Sequence, residues 1–322
     1  MKPVSASSRI AMLGYGAIAD FHATALTSLG ASLVVVAGPN GEEAGAFAER
    51  HHVDRVETDP EAAICAPDVD AVVIASPSHV HASQARLALD YRRHVLVEIP
   101  LALSAPEATD LASLAAQGSL TLMVCHTLRY WGTLLAAREV IDRDGLLPRS
   151  IVARSLGRRH ENVGWTGRRR SWIDNLLWHH GGHVVDAVLQ LMRAPVDRVT
   201  ASAGPVWKRS GLPMDYAITL RTTDGGIASI ALSYNALVGA SDYVVIGDEQ
   251  TIVIEDTALR TSKGIVYDSG DFAAVERRAI LEQDRDFLKS IETGSTPIAA
   301  AAAILPAMHV LQAVEDYTGA GR

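Results

Sequence analysis

The stretch from Arg9 to Ala19, reading R-I-A-M-L-G-Y-G-A-I-A, constrains this chain more than any other. Arg9 to Leu13 has the look of a buried strand, and it runs directly into G-x-G-x-x-A, after which Asp20 to Leu29 continues as a helix. Glycine suits a chain that must turn sharply and bring its backbone close to a ligand. The helix beginning there offers unpaired N–H groups and the positive end of its dipole, a seat for a pyrophosphate. A second apolar run, Ser32 to Ala37, completes the β-α-β setting in which the pattern means dinucleotide binding. Gly14, Gly16, Ala17 and Ile18 are therefore expected to contact the cofactor. Past the second strand, where a carboxylate normally receives the ribose hydroxyls of NAD, the chain reads Gly38-Pro39-Asn40-Gly41. With no acid there to repel a 2′-phosphate, NADP is expected, NAD remaining possible, and Gly38 and Asn40 would line that end of the site.

Helices and strands then alternate: Glu61 to Cys65, Asp70 to Ala75, a helix ending at Tyr91, His94 to Glu98, Ala105 to Gln117 and Leu120 to Cys125. That alternation predicts an α/β fold, an N-terminal Rossmann domain with a doubly wound parallel sheet over residues 1–125. Ligands of such sheets lie at the carboxyl ends of the strands, where Ser76, Pro77, His81, Glu98, His126 and Arg129 all fall. From Ile151 the pattern changes to short runs separated by turn residues: Ile151 to Leu156, Val196 to Ala203, Tyr216 to Thr222, Ile227 to Tyr234, Tyr243 to Ile246 and Thr251 to Glu255. Residues 126–322 should form an α+β domain with a mostly antiparallel open sheet. Helices around Asp271 to Ile291 and Ala299 to Tyr317 close the chain, the last one free to return to the first domain.

At 322 residues and 48% hydrophobic, the chain is long enough for two cores. A net charge of -8 speaks against a nucleic-acid partner, despite the local cluster Arg168 to Arg170. Cys65 and Cys125 show no C-x-x-C spacing, which fits a reducing, cytoplasmic setting. Neither a secretory signal nor a membrane span is expected.

The chemistry is expected between Arg168 and Asp186. If Asp174 opens a helix, His179, His183, Asp186 and Gln190 recur at spacings of 4, 3 and 4 on one side, with Leu177, Val184, Val188 and Leu191 on the other. Such histidines are either satisfied in a structural network or used in catalysis. A metal is not expected, because His179-x-x-x-His183 lacks the Glu of H-E-x-x-H and has a further histidine at position 180.

The G-x-G-x-x-A half, the strand ending in Val97-Glu98-x-Pro100, and His183-Val184-Val185-Asp186 before Leu191 and Pro195-Val196 together resemble the Gfo/Idh/MocA oxidoreductases over nearly the whole chain. In that family the strand end reads E-K-P and the helix D-x-G-x-H, the Lys, Asp and His lining the substrate site beside the nicotinamide. Here Ile99 takes the Lys position and His179 the Asp position, while Gly181 and His183 match. One branch, which oxidises an aromatic ring-cleavage semialdehyde, is similar in carrying both departures. It shares Glu98-Ile99-Pro100, His126 with Arg129, Arg159 and Asn162, Arg170-Ser171-Trp172, Trp178-His179-His180 with His183 and Asp186, and Met214-Asp215. This chain has Pro39 where that branch has Arg, and Gly181-Gly182 where it has Ala-Ala.

The resemblance implies oxidation of a cyclic hemiacetal to 2-pyrone-4,6-dicarboxylate. His183 is the expected base facing the nicotinamide, with His179 and Glu98 as further catalytic residues. Arg129, Arg159, Asn162, Arg170, Trp172, His179, His180 and Asp215 would surround the dicarboxylate, the arginines and histidines supplying positive charge. A sugar or polyol dehydrogenase of the same family, or a catalytically silent dinucleotide-binding regulator, are the alternatives. The open sheet also predicts a homodimer or homotetramer.

Overall fold

A computed structural model describes residues 8–163, 172 and 175–319. The expectations placed on Arg170 and on Asp174 fall outside those residues. The chain divides into two compact units, one chiefly Met1–Cys125 and the other beginning at His126, with residues 280–305 belonging to the first.

The first unit alternates as its sequence does: β1 (Arg9–Leu13), α1 (Ala17–Ser28), β2 (Ser32–Ala37), α2 (Gly41–His51), β3 (Arg55–Glu57), α3 (Pro60–Cys65), β4 (Ala71–Ile74), α4 (His81–Asp90), β5 (His94–Val97), α5 (Ala105–Gly118) and β6 (Leu122–Val124). The strands form one parallel sheet in the order β3-β2-β1-β4-β5-β6. Strand order reverses between β1 and β4, and the carboxyl ends flanking that reversal are where such a sheet receives its ligand. β4 and, from Ile10 onward, β1 are apolar and enclosed on both faces, as a sheet covered by helices requires. Pro39-Asn40-Gly41 opens α2, with the Asn40 side chain accepting from the N–H groups of Glu42 and Glu43.

Two glycines are dictated by close approach. Gly14 has φ +100°, and a Cβ there would lie 2.4 Å from the Ala75 carbonyl oxygen. A Cβ on Gly38 would lie 2.4 Å from Cε1 of Tyr15, whose ring covers it.

The second unit opens with α6 (Gly132–Asp144) and β7 (Ser150–Arg158), followed by α7 (His180–Met192) and β8 (Val196–Ala203). A small hairpin of β9 (Val206–Trp207) and β10 (Leu212–Pro213) precedes β11 (Asp215–Thr222), β12 (Ile227–Ser233), β13 (Asn235–Ile246), β14 (Thr251–Glu255), β15 (Ala258–Thr261) and β16 (Gly264–Asp268). The eight-stranded sheet runs β16-β15-β14-β13-β7-β12-β11-β8. Its pairs are antiparallel except β12 with β7, which is parallel. Those two strands are joined by a crossover that includes α7, the connection that a parallel pair needs and a hairpin cannot provide. α7 packs on β7 and β12, and β11 buries Tyr216, Ile218, Leu220 and Thr222 on alternate positions.

α8 (Phe272–Thr293) and α9 (Ala301–Thr318) end the described chain. The segment 280–305 extends the edge of the first sheet: Val124 N–H donates to Ala299 O at 3.0 Å, and Met123 pairs with Ala300. A division at residue 125 alone therefore leaves out part of the first unit. Among the described residues no helix is long and apolar enough to cross a membrane.

Gly14→Ala should destabilise the protein by roughly 2–4 kcal/mol, combining a left-handed backbone penalty with a clash against fixed backbone. Gly30→Ala, at φ +89° with nothing within 4 Å of its Cβ, should cost only ~1 kcal/mol. Urea unfolding of both variants checks the difference; equal midpoints would mean the approach of Gly14 to Ala75 is not a constraint.

Candidate active site

Gly16 stands at the N-cap of α1 and places no side-chain cap on the helix. A Cβ there would meet nothing within 4 Å. The N–H groups of Ala17, Ile18 and Ala19 are the uncapped first turn, beside the strand ends where the sheet order reverses, and this fits the phosphates of a dinucleotide. At the end of β2, Tyr15 covers Gly38 and its hydroxyl accepts from Asn40 N–H at 3.0 Å. The Asn40 side chain, expected at the ribose, is committed to α2: Oδ1 takes the first-turn N–H groups, and Nδ2 donates to Glu43 Oε1 at 3.0 Å. A carboxylate thus does stand near this strand end, carried by the helix rather than by the strand.

Ser76 Oγ donates to Gln84 at 2.6 Å, and Pro77 leads a 3-10 turn over Ser78–Val80. His81 is enclosed, with Nδ1 2.9 Å from the Pro100 carbonyl and Nε2 2.8 Å from the Ser76 carbonyl. Expected as a cofactor contact, its ring instead ties the β4 end to the turn after β5, because both nitrogens already face backbone oxygens. Glu98 follows β5, its N–H donating to Ile74 O at 2.9 Å. Its Oε1 lies 3.0 Å from Nε2 of His22, and the other ring nitrogen lies 2.9 and 3.0 Å from the Asp284 carboxylate. Cys125 Sγ lies 3.7 Å from the same Nε2. One donor atom each from His22, Glu98 and Cys125 fall within 4.8 Å of one another. With both ring nitrogens turned to carboxylates, however, the arrangement is that of a protonated bridge. Sequence reasoning missed His22, Cys125 and Asp284 as a group; the placement of His22 three residues after Ala19, on the buried side of α1, was the available signal.

In the second unit α7 begins at His180, six residues later than a helix opened by Asp174 would. Asn175 Oδ1 accepts from Trp178 N–H at 3.1 Å, winding residues 176–179 into turns, and His179 caps the helix at φ −88°, ψ −92°. His183 and Asp186 therefore share a helical face, while His179 is placed by the turn before it. Asp186 is buried and paired bidentately with Arg129, Nε at 2.8 Å and Nη2 at 2.6 Å. Nδ1 of His126 lies 3.5 Å from Asp186, and the His126 ring meets the His183 ring edge-on at 5.7 Å. Burial pushes the Asp186 carboxyl up, but His126, Arg129 and His183 together hold it below its usual range. Arg129, expected to grip substrate, has this guanidinium edge held by Asp186 instead, since a carboxylate that deep needs a bidentate partner.

Arg159 gathers the other polar groups. It donates to His179 Nδ1 at 3.1 Å and to Asn162 Oδ1 at 2.5 Å, and its guanidinium lies 5.6 Å from the centre of the Tyr234 ring. A guanidinium only donates, so His179 Nδ1 must accept, and the ring is the neutral tautomer with its proton on Nε2. The Tyr234 hydroxyl lies 3.2 Å from the same nitrogen. The His180 ring stacks on His179 at 4.7 Å, and burial with the nearby Arg159 charge pulls its pKa down to about 4. Positive charge expected from both histidines is therefore absent at neutral pH; Arg159 supplies it. Trp172 meets Trp207 and Tyr234 at 6.4 and 6.2 Å, and His160 lies against Trp207 at 5.0 Å, an aromatic wall beside these groups. Tyr234, Trp207 and His160 were not anticipated. Asp215, expected at the substrate, accepts from Ser233 Oγ at 2.6 Å and Asn235 Nδ2 at 2.5 Å, which ties the edge of its strand pair.

A dinucleotide-binding sheet joined to a unit with clustered, largely enclosed histidines and a buried carboxylate defines an NAD(P)-dependent dehydrogenase. The chain matches the model for the oxidoreductase family with an NAD-binding Rossmann fold over residues 8–126. It also matches that for the C-terminal domain of bacterial oxidoreductases over residues 138–272. It is 30% identical to 4-carboxy-2-hydroxymuconate-6-semialdehyde dehydrogenase from a Sphingobium species, over 95% of this chain and 98% of that one. An inositol 2-dehydrogenase from Acidothermus cellulolyticus is 29% identical, over 77% of this chain and 75% of its own. Among solved structures, UDP-N-acetylglucosamine 3-dehydrogenase from Acidithiobacillus ferrooxidans shares the fold with a TM-score of 0.83 at 20% identity, covering 98% of both chains. The chain belongs to the Gfo/Idh/MocA oxidoreductases.

Arg129→Ala, which strands Asp186, should cost ~3–5 kcal/mol in urea unfolding, and Arg129→Met with Asp186→Leu should recover most of it; a single-variant loss below ~1 kcal/mol would mean the pair is not buried as described. The folded-state pKa of His180 lies below its unfolded value, so its stabilising neutral form is lost as pH falls. Stability should decline from about pH 6.5 through about 4, and the decline should be shallower in His180→Asn. Chemical denaturation across that range reads the slope.

Proposed function

We propose that this dehydrogenase oxidises the cyclic hemiacetal of a ring-cleavage semialdehyde dicarboxylate, 4-carboxy-2-hydroxymuconate-6-semialdehyde, to 2-pyrone-4,6-dicarboxylate. The observation that carries the reading is the Arg159 cluster: one guanidinium, two neutral stacked imidazoles and an aromatic wall. That set suits a flat, anionic ring better than a neutral polyol, whose hydroxyls need acceptors as well as donors. The similarity to the Sphingobium enzyme over nearly all of both chains supports the same substrate.

In this reading Arg159, with Asn162 bracing it, holds a substrate carboxylate. His179 presents Nε2–H as a second donor, and Trp172 and Tyr234 flank the ring plane. His183 takes the hemiacetal hydroxyl proton, and the ionised Asp186 beside it steadies the imidazolium that results. A nicotinamide dinucleotide held at the start of α1 would supply the hydride acceptor for that carbon. The uncapped start of α1 holds the pyrophosphate. NADP is admitted by Gly38 in place of an acid, whereas Glu43, held by Asn40, opposes a 2′-phosphate and favours NAD.

His183→Asn should lower turnover by about two to four orders of magnitude with little change in dinucleotide affinity. Reduced nicotinamide should form with the semialdehyde and not with inositol or glucose. Reduction with inositol alone would replace this reading by the polyol one, and tight dinucleotide binding without reduction of any kind would make the chain a silent regulator.

A further inference from the structure

The proposed reaction uses neither His22 nor Asp284, yet the first unit buries both completely. An ionised carboxylate can only accept hydrogen bonds. A ring with Asp284 on Nδ1 at 2.9 and 3.0 Å and Glu98 on Nε2 at 3.0 Å satisfies both by donating from both nitrogens, as an imidazolium. Burial alone would lower the His22 pKa, but the Asp284 charge and hydrogen bond lift it well above its ordinary value. Burial raises Asp284, partly offset by the charge and hydrogen bond of His22. Burial and the Glu98 charge push the Cys125 thiol far up, so it faces the ring uncharged. Asp284, Gln283, Glu98 and Cys125 are thus the groups facing the bridge from α8 and the ends of β5 and β6. Two carboxylates on one imidazolium leave one net negative charge. Glu98 is the member that reaches outward: its side chain keeps 17% exposure, and its Oε2 accepts from Ile99 N–H at 3.2 Å.

We propose that His22, anchored by Asp284, is a positioning residue that holds Glu98 as a carboxylate at the end of β5, so that the site prefers the oxidised, cationic nicotinamide to the reduced, neutral one. This rests on the first unit binding a nicotinamide dinucleotide with Glu98 in its site. A fixed negative charge near the ring stabilises the cationic form selectively, and in a partly buried setting the effect should be about tenfold or more in relative affinity. His22 extends the pH range over which that charge persists, because a carboxylate beside an imidazolium does not take up a proton until well below neutrality.

The test is the ratio of dissociation constants for reduced and oxidised dinucleotide, measured by fluorescence and calorimetric titration of the full chain between pH 5.5 and 8. In the wild type the ratio should favour the oxidised form and stay flat. Glu98→Gln should lower it about tenfold at every pH. The near-isosteric pair His22→Gln with Asp284→Asn, which removes the two fully enclosed charges together and leaves Glu98 without its cation, should fall toward the Glu98→Gln value as pH drops. A Glu98→Gln ratio equal to wild type, or a flat profile in the pair, would overturn the proposal. Failure of the wild type to bind either form would instead overturn the dinucleotide reading on which it rests. Ring 15N shifts of His22 in the unaltered protein give a check independent of any variant: an imidazolium at pH 8 supports the bridge, and a ring that is neutral there refutes it.

Discussion

The second unit is organised by one charge placed where water does not reach. Asp186 sits on α7 at 2% exposure, and its ionised form survives only because Arg129 meets it edge to edge and two imidazoles lie close by. A carboxylate in such a position is expensive to desolvate, and its partners repay that cost only with near-ideal geometry. The pairing joins a short 3-10 turn over Thr127–Tyr130, which carries Arg129, to the α7 face that also carries His183. Packing of α7 on β7 and β12 supplies the hydrophobic stabilisation, while the ion pair specifies which side of the helix faces which neighbour.

Around that anchor the histidines have unlike electrical characters, and sequence alone does not separate them. His179 and His180 are adjacent, yet neither carries charge at neutral pH. One is kept neutral because a guanidinium donates into it, the other because burial and the same guanidinium oppose a second cation. His22, far away in the chain, carries its proton because two carboxylates demand it. Residue identity gives the capacity to titrate, and the neighbours decide whether it is used.

Much of the first unit was legible because its signals are local. Apolar strands, glycine at a forced close approach and alternating helices are set by residues a few positions apart, and the parallel sheet follows from them. The helix cap at Asn40 was not anticipated, because Pro39-Asn40-Gly41 serves a turn and a helix cap equally well until the Glu42 and Glu43 N–H groups are seen to need an acceptor. The start of α7 was displaced because the Asn175 side chain accepts from Trp178 N–H and winds residues 176–179 into turns instead of helix. Least legible were partnerships between distant positions. Nothing near Asp284, in a run reading Glu282-Gln283-Asp284-Arg285-Asp286, distinguishes the enclosed carboxylate from the less buried ones of Glu282 and Asp286. Likewise the parallel pairing of β7 and β12 is a property of the crossover rather than of either strand.

The return of residues 280–305 to the first unit bears on how the molecule is made. The nucleotide-binding half is synthesised first, but the carboxylate that charges His22 and the segment that covers the β6 edge emerge from the ribosome only after residues 126–279. A nascent chain halted before them holds an imidazole ring without its counterion and a sheet with a bare edge. The cradle for the coenzyme thus reaches its final electrostatic form only after the intervening residues 126–279 have been made, which ties competence for cofactor capture to synthesis of the second unit.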